Sequence, residues 1–130
     1  MSAEVQKSVF VALQSADITG VKQIRDTPIA IPGASDFPFI EIGASQDIPA
    51  DAGGDEGVEH YIDVHAYSRS PGQRELKDIA VEVKAALHGR SLSVIGKASA
   101  HCFFDAGRVV EERDGLTRHS VQTFQIIHRE

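Results

Sequence analysis

A change of hydrophobic period in the middle of the chain restricts the possible folds most strongly. From Val58 to Tyr67 apolar and polar residues alternate, which is the period-two pattern of a strand with one dry face. From Ser70 to His88 apolar residues recur every three or four positions and predict an amphipathic helix. Ser70 suits the N-cap, Pro71 suits the first helical position, and Gly89 predicts the stop. A strand that leads into a helix predicts a domain of mixed α and β structure.

The remaining segments extend this pattern on both sides. We predict a helix from Ser2 to Ser15, an edge segment at Ile29–Ile31, strands at Asp36–Gly43 and Leu92–Ile95, and a hairpin of Ala100–Glu112 with Leu116–His128. The order predicts an α+β fold: a mostly antiparallel sheet of four to five strands, with two main helices packed on one face and a long acidic loop.

The last hairpin permits a prediction of register. Asp114-Gly115 is a typical two-residue turn, and a turn there places Glu111 opposite Arg118. Gly107 is the expected site of a β-bulge, because the alternation of apolar residues shifts between Phe103-Phe104 and Val109-Val110 on either side of it. We expect one face to carry Phe103, Val109, Phe124 and Ile126, and the other to carry Phe104, Val110 and Val121.

Length, charge and cysteine content exclude several classes of protein. A chain of 130 residues suits one domain with a single core. The net charge of −6 argues against nucleic-acid binding as a main function, since such binding depends on cationic side chains. A lone Cys102 excludes an internal disulfide and a four-cysteine zinc site. With no long apolar run and no signal-peptide pattern after Met1, we expect a soluble protein of a reducing compartment, without membrane contact.

The segment Ala44–Gly57 has no apolar periodicity and is long for a loop in a compact domain. It reads either as a solvated loop or as an arm that becomes ordered against a partner. Its acids are candidate contacts with a partner or a second subunit: Asp47, Asp51, Asp55 and Glu56.

The sequence contains no catalytic or metal-binding signature. Asp63 and His65 share a strand face, but two ligands are fewer than a zinc site needs. Cys102 lies in an apolar strand, where a cysteine is more often a small buried hydrophobe than a nucleophile. We therefore predict no cofactor and no metal. The alternative is a small α+β enzyme or ligand-binding module that uses Asp63, His65 and Tyr67 of the Val58–Tyr67 strand.

Four segments in order carry a resemblance that covers nearly the whole chain. They are Asp36-Phe-Pro-Phe-Ile40, Glu59-His-Tyr-Ile-Asp-Val-His-Ala-Tyr67, Ile79-Ala-Val-Glu-Val-Lys-Ala-Ala-Leu-His88 and Asp114-Gly-Leu-Thr-Arg-His119. Together they resemble the small tail-completion or tail-terminator proteins of long-tailed phages, prophages and gene transfer agents. The motifs are patterns of strand, helix and turn, so no catalytic residue is carried over.

The resemblance implies a single tail-terminator-like domain that acts as a structural virion component and not as an enzyme. Such a protein caps the tail tube as a ring, commonly a hexamer, and joins it to head connector or stopper proteins. It is made in the bacterial cytoplasm, ends in the particle's tail, and encloses DNA without binding it specifically. A ring needs two different contact patches on each subunit. We expect Phe103, Phe124 and Ile126 of the last hairpin to contribute to one of them.

Overall fold

The computed structural model describes residues 3–27, 32–49, 57–94 and 99–129. Its elements are α1 (Ala3–Ser15), β1 (Gln23–Arg25), a 3-10 turn (Ala34–Asp36), β2 (Phe39–Pro49), β3 (Gly57–Ser68), α2 (Arg74–Leu87), β4 (Arg90–Ser91), β5 (Ser99–Glu111) and β6 (Arg118–Arg129). None of the helices in this part of the chain is long and apolar enough to cross a membrane.

The strands form one sheet in the order β1-β2-β3-β6-β5-β4. β1 pairs with β2 in parallel, and every other neighbouring pair is antiparallel. The α+β class and the mostly antiparallel sheet are confirmed, whereas the sheet has six strands in place of the predicted four to five. The outermost strands, Gln23–Arg25 and Arg90–Ser91, are too short to show a period of two in the sequence.

Both helices pack on the same face of the sheet, here called the helix-covered face. α1 and α2 bury the apolar stripes that the sequence predicts: Val5, Val9 and Leu13, and Leu76, Ile79, Val83 and Leu87. They meet buried sheet residues that include Ile40, Ile62, Val64, Phe124 and Ile126. The opposite face, here called the helix-free face, carries the alternate side chains of the same strands.

The helix α2 begins later than predicted. Ser70 is not its N-cap, because the helix starts at Arg74 and Gly72 has φ +78°, outside the helical region. The Ser68 hydroxyl accepts from the Ser70 amide at 3.2 Å and donates to Glu75 at 2.7 Å, which holds the preceding turn in place. The predicted stop is confirmed, since the helix ends at Leu87 and Gly89 has φ +71°.

Part of the predicted acidic loop is a strand. Residues 44–49 continue β2 and pair with β3, with Asp47 opposite His60 and Ile48 opposite Glu59. The loop prediction is therefore wrong for these residues. Their side chains are exposed and mostly polar, so they show no apolar alternation, and the strand forms because β3 supplies its hydrogen bonds. Residues 50–56, like the predicted edge segment Ile29–Ile31, lie outside the described residues.

Two shorter strand predictions also need correction. Asp36 belongs to the 3-10 turn, and the strand after it starts at Phe39. The segment predicted as Leu92–Ile95 pairs instead at Arg90–Ser91, while Leu92 and Val94 follow it as buried core residues. Ile95 lies outside the described residues.

The predicted hairpin register is confirmed, since Glu111 pairs with Arg118 and their side chains approach to 3.6 Å. The turn is longer than two residues, because the Asp114 carboxylate accepts from the amides of Leu116 and Thr117, each at 2.8 Å. Asp105 is the extra residue of the β5 bulge, between Phe104 and Ala106, so the expected bulge at Gly107 is wrong.

Candidate functional site

The predicted contact residues separate in the structure. Asp47 lies on β2, where its Oδ1 is 2.6 Å from Nδ1 of the buried His60. Asp51, Asp55 and Glu56 lie outside the described residues. Of the four predicted acids, the structure therefore describes Asp47 alone, and it lies in a strand and not in a loop.

The hairpin residues divide between the two faces of the sheet. Phe104 pairs with Phe124, and Cys102 pairs with Ile126, which puts these four side chains on the helix-covered face. Phe124 and Ile126 are both 0% exposed and belong to the core. Phe103 lies on the helix-free face opposite Gln125 and is 40% exposed. The predicted shared face of Phe103 with Phe124 and Ile126 is wrong, and of the three only Phe103 reaches the surface.

A row of stacked rings crosses the helix-free face at one end of the strands. Phe39 stacks on Tyr67 with ring centroids 4.7 Å apart, and Tyr67 stacks on His119 at 4.2 Å. His65 continues the row, 4.8 Å from His119. At the other end, Phe37 packs on Phe39 at 5.1 Å. The guanidinium of Arg69 lies over the Phe37 ring at 4.3 Å from its centroid, so this end of the row is covered by a cation.

The two histidines of this row form a hydrogen-bonded pair. Nδ1 of His65 lies 2.6 Å from Nε2 of His119, and Nδ1 of His119 lies 3.1 Å from the Glu112 carboxylate. A carboxylate only accepts, so His119 donates from Nδ1 and its neutral ring accepts at Nε2 from His65. Protons on both facing nitrogens would break this bond.

Burial shifts the pKa of two members of the row, Tyr67 and His119. It raises the pKa of Tyr67 to about 12, and the nearby Glu41 carboxylate adds to the rise. Burial also lowers the pKa of His119, as does the charge of His65, while Glu112 opposes the change. A phenol with so high a pKa stays protonated at neutral pH and is a poor general base.

The hydrogen bond between His65 and His119 requires a glycine at position 43. A Cβ at residue 43 would lie 2.3 Å from Nε2 of His65, because the imidazole rests directly on the backbone of a β2 bulge. The sequence analysis named Asp63, His65 and Tyr67 as polar groups of one face and missed His119 and Gly43. His119 lies 54 residues away from His65 in the chain, so no local spacing connects them.

The same face carries more acids than bases. Among the described side chains of β2, β3, β5 and β6, the acids on it are Glu41, Glu59, Asp63 and Asp105, and the one Lys or Arg is Arg108. Asp63 accepts a hydrogen bond of 2.7 Å from Thr123. Within the described residues no three or more His, Cys, Asp or Glu side chains lie close enough together to hold a metal ion.

The family of tail completion protein gp17 matches residues 12–129 of this chain. The chain belongs to this family. Among curated protein sequences, none matches it. The family is one of structural phage tail proteins, which agrees with the resemblance drawn from the four sequence segments.

Two solved structures share the fold. The first is similar over 100% of both chains, with a TM-score of 0.83 and 17% identity, and belongs to the virion of a native gene transfer agent particle. The second is the gp17 protein of bacteriophage SPP1, similar over 97% of this chain and 88% of that one, with a TM-score of 0.57 and 23% identity. At these identities the comparison establishes a common fold.

Proposed function

We propose that this protein is the ring subunit that caps the tail tube of a phage-like particle and joins it to the head connector. The observation that carries the proposal is the family match over residues 12–129. The whole-length fold similarity to a chain of a gene transfer agent virion supports it. The ring is a homo-oligomer, proposed as a hexamer, and its other partners are the tail tube protein and the head connector or stopper proteins.

A ring of identical subunits needs two different contact surfaces on each subunit. The sheet offers them, because its two sides differ: one ends at β1 beside β2, and the other ends at β4 beside β5. Phe103 adds an exposed aromatic side chain near the second side. Asp51, Asp55 and Glu56 stay proposed contacts with the tube or connector.

We further propose that the helix-free face lines the bore through which DNA passes. Its acids, which include Glu41, Glu59 and Asp63, outnumber the single Arg108 among the described side chains of the four long strands. Acids on the wall repel phosphates, while bases would hold them. Since screening limits this field to about 8 Å near physiological salt, the charges on the wall itself are the ones that matter.

The decisive experiment removes the gene from the phage or gene transfer agent that encodes it and images the particles by electron microscopy. The proposal expects filled heads and tail tubes that are not joined, with joining restored by the gene in trans. Normal numbers of joined particles without the protein would refute it.

A second measurement tests the bore. Purified oligomer is titrated with duplex DNA at low salt, and the proposal expects no retention in a gel shift. A charge-reversed Glu59→Lys variant is the matched control and should bind DNA in a salt-sensitive way. Micromolar binding by the unaltered protein would contradict an acidic bore.

A further inference from the structure

We infer that copies of this chain join through the tip of the β5–β6 hairpin of one copy, whose Leu116 side chain docks in a pocket between α1 and the segment after β4 of the next copy. The inference rests on the proposed ring and names one contact through which the ring closes. The occupant of the pocket is a second copy of the same chain.

The hairpin tip, residues 112–117, presents an apolar side chain that its own chain does not cover. Leu116 is 60% exposed and takes no part in the hydrophobic core. Its neighbours in the turn are polar or are glycine, so this leucine is the one large apolar group that the tip offers.

Hydrogen bonds hold the tip in one conformation. The Asp114 carboxylate accepts from the amides of Leu116 and Thr117, each at 2.8 Å, and from the Thr117 hydroxyl at 2.7 Å. The bonds from Thr117, followed by the bond from Leu116, lower the pKa of Asp114 to about 2, so the carboxylate keeps them at neutral pH. Arg69 donates to the Thr117 hydroxyl at 3.1 Å and ties the tip to the segment after β3. A preorganised tip loses little conformational entropy when it docks.

The pocket, here called the α1 pocket, lies between α1 and the residues around the end of β4. It is an open cavity of about 290 Å³, which has room for one leucine side chain. Val11, Ala12 and Leu92 supply its apolar lining, and Val11 is 47% exposed in the single chain. Polar residues that include Glu4 and Lys7 complete the lining. The pocket therefore suits an apolar side chain with a charged neighbour.

The tip of one chain cannot fill the α1 pocket of the same chain. The pocket lies beside the first residues of β5, because Ser91 pairs with His101 and the Leu92 amide donates to the Ala100 carbonyl at 2.8 Å. The tip follows Glu111, at the other end of the same strand. From His101 to Glu111 the strand spans about 30 Å at its usual rise per residue. The contact therefore forms between two copies.

The two surfaces lie at opposite ends of the strands, which fits a head-to-tail ring. An apolar side chain on one part of a subunit that fills a pocket on another part joins identical copies head to tail, and such contacts close into a ring when the rotation allows it. Because α1 lies on the helix-covered face, this contact leaves the helix-free face of every copy turned to the proposed bore.

Charges beside the two surfaces are complementary. Arg113 is exposed on the same tip as Leu116, and Glu4 lines the α1 pocket. Among the described residues neither side chain takes part in a hydrogen bond or an ion pair. We expect Arg113 of one copy beside Glu4 of the next, on the side of the pocket away from Lys7. Such a pair fixes orientation more than it adds affinity.

Chemical cross-linking of this charged pair tests the contact and leaves Leu116 and Val11 in place. Arg113→Cys protein is mixed with Glu4→Cys protein at high concentration and treated with a short bis-maleimide. The matched control replaces Glu4→Cys with Asp78→Cys, because Asp78 is an exposed acid on α2 outside the α1 pocket. The native Cys102 is fully buried, and burial raises its pKa to about 12, so it stays unreactive.

We expect the covalent dimer to form at least tenfold faster with Glu4→Cys than with Asp78→Cys. Adding Leu116→Asp to the Arg113→Cys chain should remove this excess, because an apolar pocket does not accept an unpaired carboxylate. Val81→Asp in the same chain is the matched substitution control and should leave the excess unchanged, since Val81 is exposed on α2 outside both surfaces. Urea midpoints confirm that each variant is folded. No excess over Asp78→Cys, or an excess that survives Leu116→Asp, would overturn the inference.

Failure of this contact and failure of the proposed function give different results. Leu116-dependent cross-linking together with normal particles after gene deletion would refute the function and keep the contact. Unjoined heads and tails after gene deletion, together with no specific cross-link, would refute the contact alone.

Discussion

Replacing Gly43 with alanine should destabilise the protein through one named contact. The new Cβ would lie 2.3 Å from Nε2 and 2.5 Å from Cδ2 of His65, about 1 Å inside ordinary contact. The backbone of β2 is held on β3, so the imidazole is the group that must move. Moving it breaks the 2.6 Å hydrogen bond to His119 and the ring contact between them.

The magnitude follows from what His65 loses. A hydrogen bond contributes about 0.5–1.5 kcal/mol to stability. A ring contact of this kind contributes a similar amount, about 0.5–1.5 kcal/mol. We therefore expect Gly43→Ala to lower the free energy of unfolding by about 1–3 kcal/mol, measured by urea titration.

A double-mutant cycle assigns the loss to His65. In a His65→Ala background the clash is absent, so Gly43→Ala should change the free energy of unfolding by less than about 0.5 kcal/mol. Gly33→Ala is the matched glycine control, because its Cβ would meet Asp36 at 3.7 Å, an ordinary contact. Equal destabilisation by Gly43→Ala in both backgrounds would refute the reasoning.

Three further predictions test the core, the histidine pair and the acidic segment. Leu87→Ala should lower the free energy of unfolding by about 2–5 kcal/mol, because Leu87 is the last residue of α2 and is fully buried; an unchanged urea midpoint would contradict this. Because the pKa of His119 is lowered in the folded state, the unfolded chain binds this proton more readily. Stability should therefore fall as the pH drops from the ordinary pKa of 6.5 toward the lowered pKa of the folded state, and His119→Gln should reduce this loss in thermal melts. Replacing Asp51 and Asp55 with Asn and Glu56 with Gln should leave the urea midpoint unchanged but reduce head–tail joining; full joining would remove these acids from the proposed contacts.

Local periodicity was enough to predict the elements that carry most of the core. The stripe on α2 is readable because consecutive helical turns bring Leu76, Ile79 and Val83 to one side, whatever lies against them. The alternation of β3 likewise assigns His65 and Tyr67 to one face by parity. The register of Glu111 with Arg118 follows from a turn only a few residues away.

The tertiary structure decided everything that depends on which strands become neighbours. Residues 44–49 are a strand because β3 supplies their hydrogen bonds, and their own side chains carry no apolar alternation. The bulge at Asp105 places Phe103 and Phe124 on opposite faces, and a bulge depends on the partner strand as much as on its own sequence.

The helix-free face shows the same division between local and long-range information. The sequence by itself determined that His65 and Tyr67 point to the same side. Only the β3–β6 register brings His119 next to both of them, and only the bulge of β2 places Gly43 against His65. The physical reason is that face parity is a property of one strand's backbone. Contact between residues far apart in the chain instead depends on the packing of the whole sheet against its two helices.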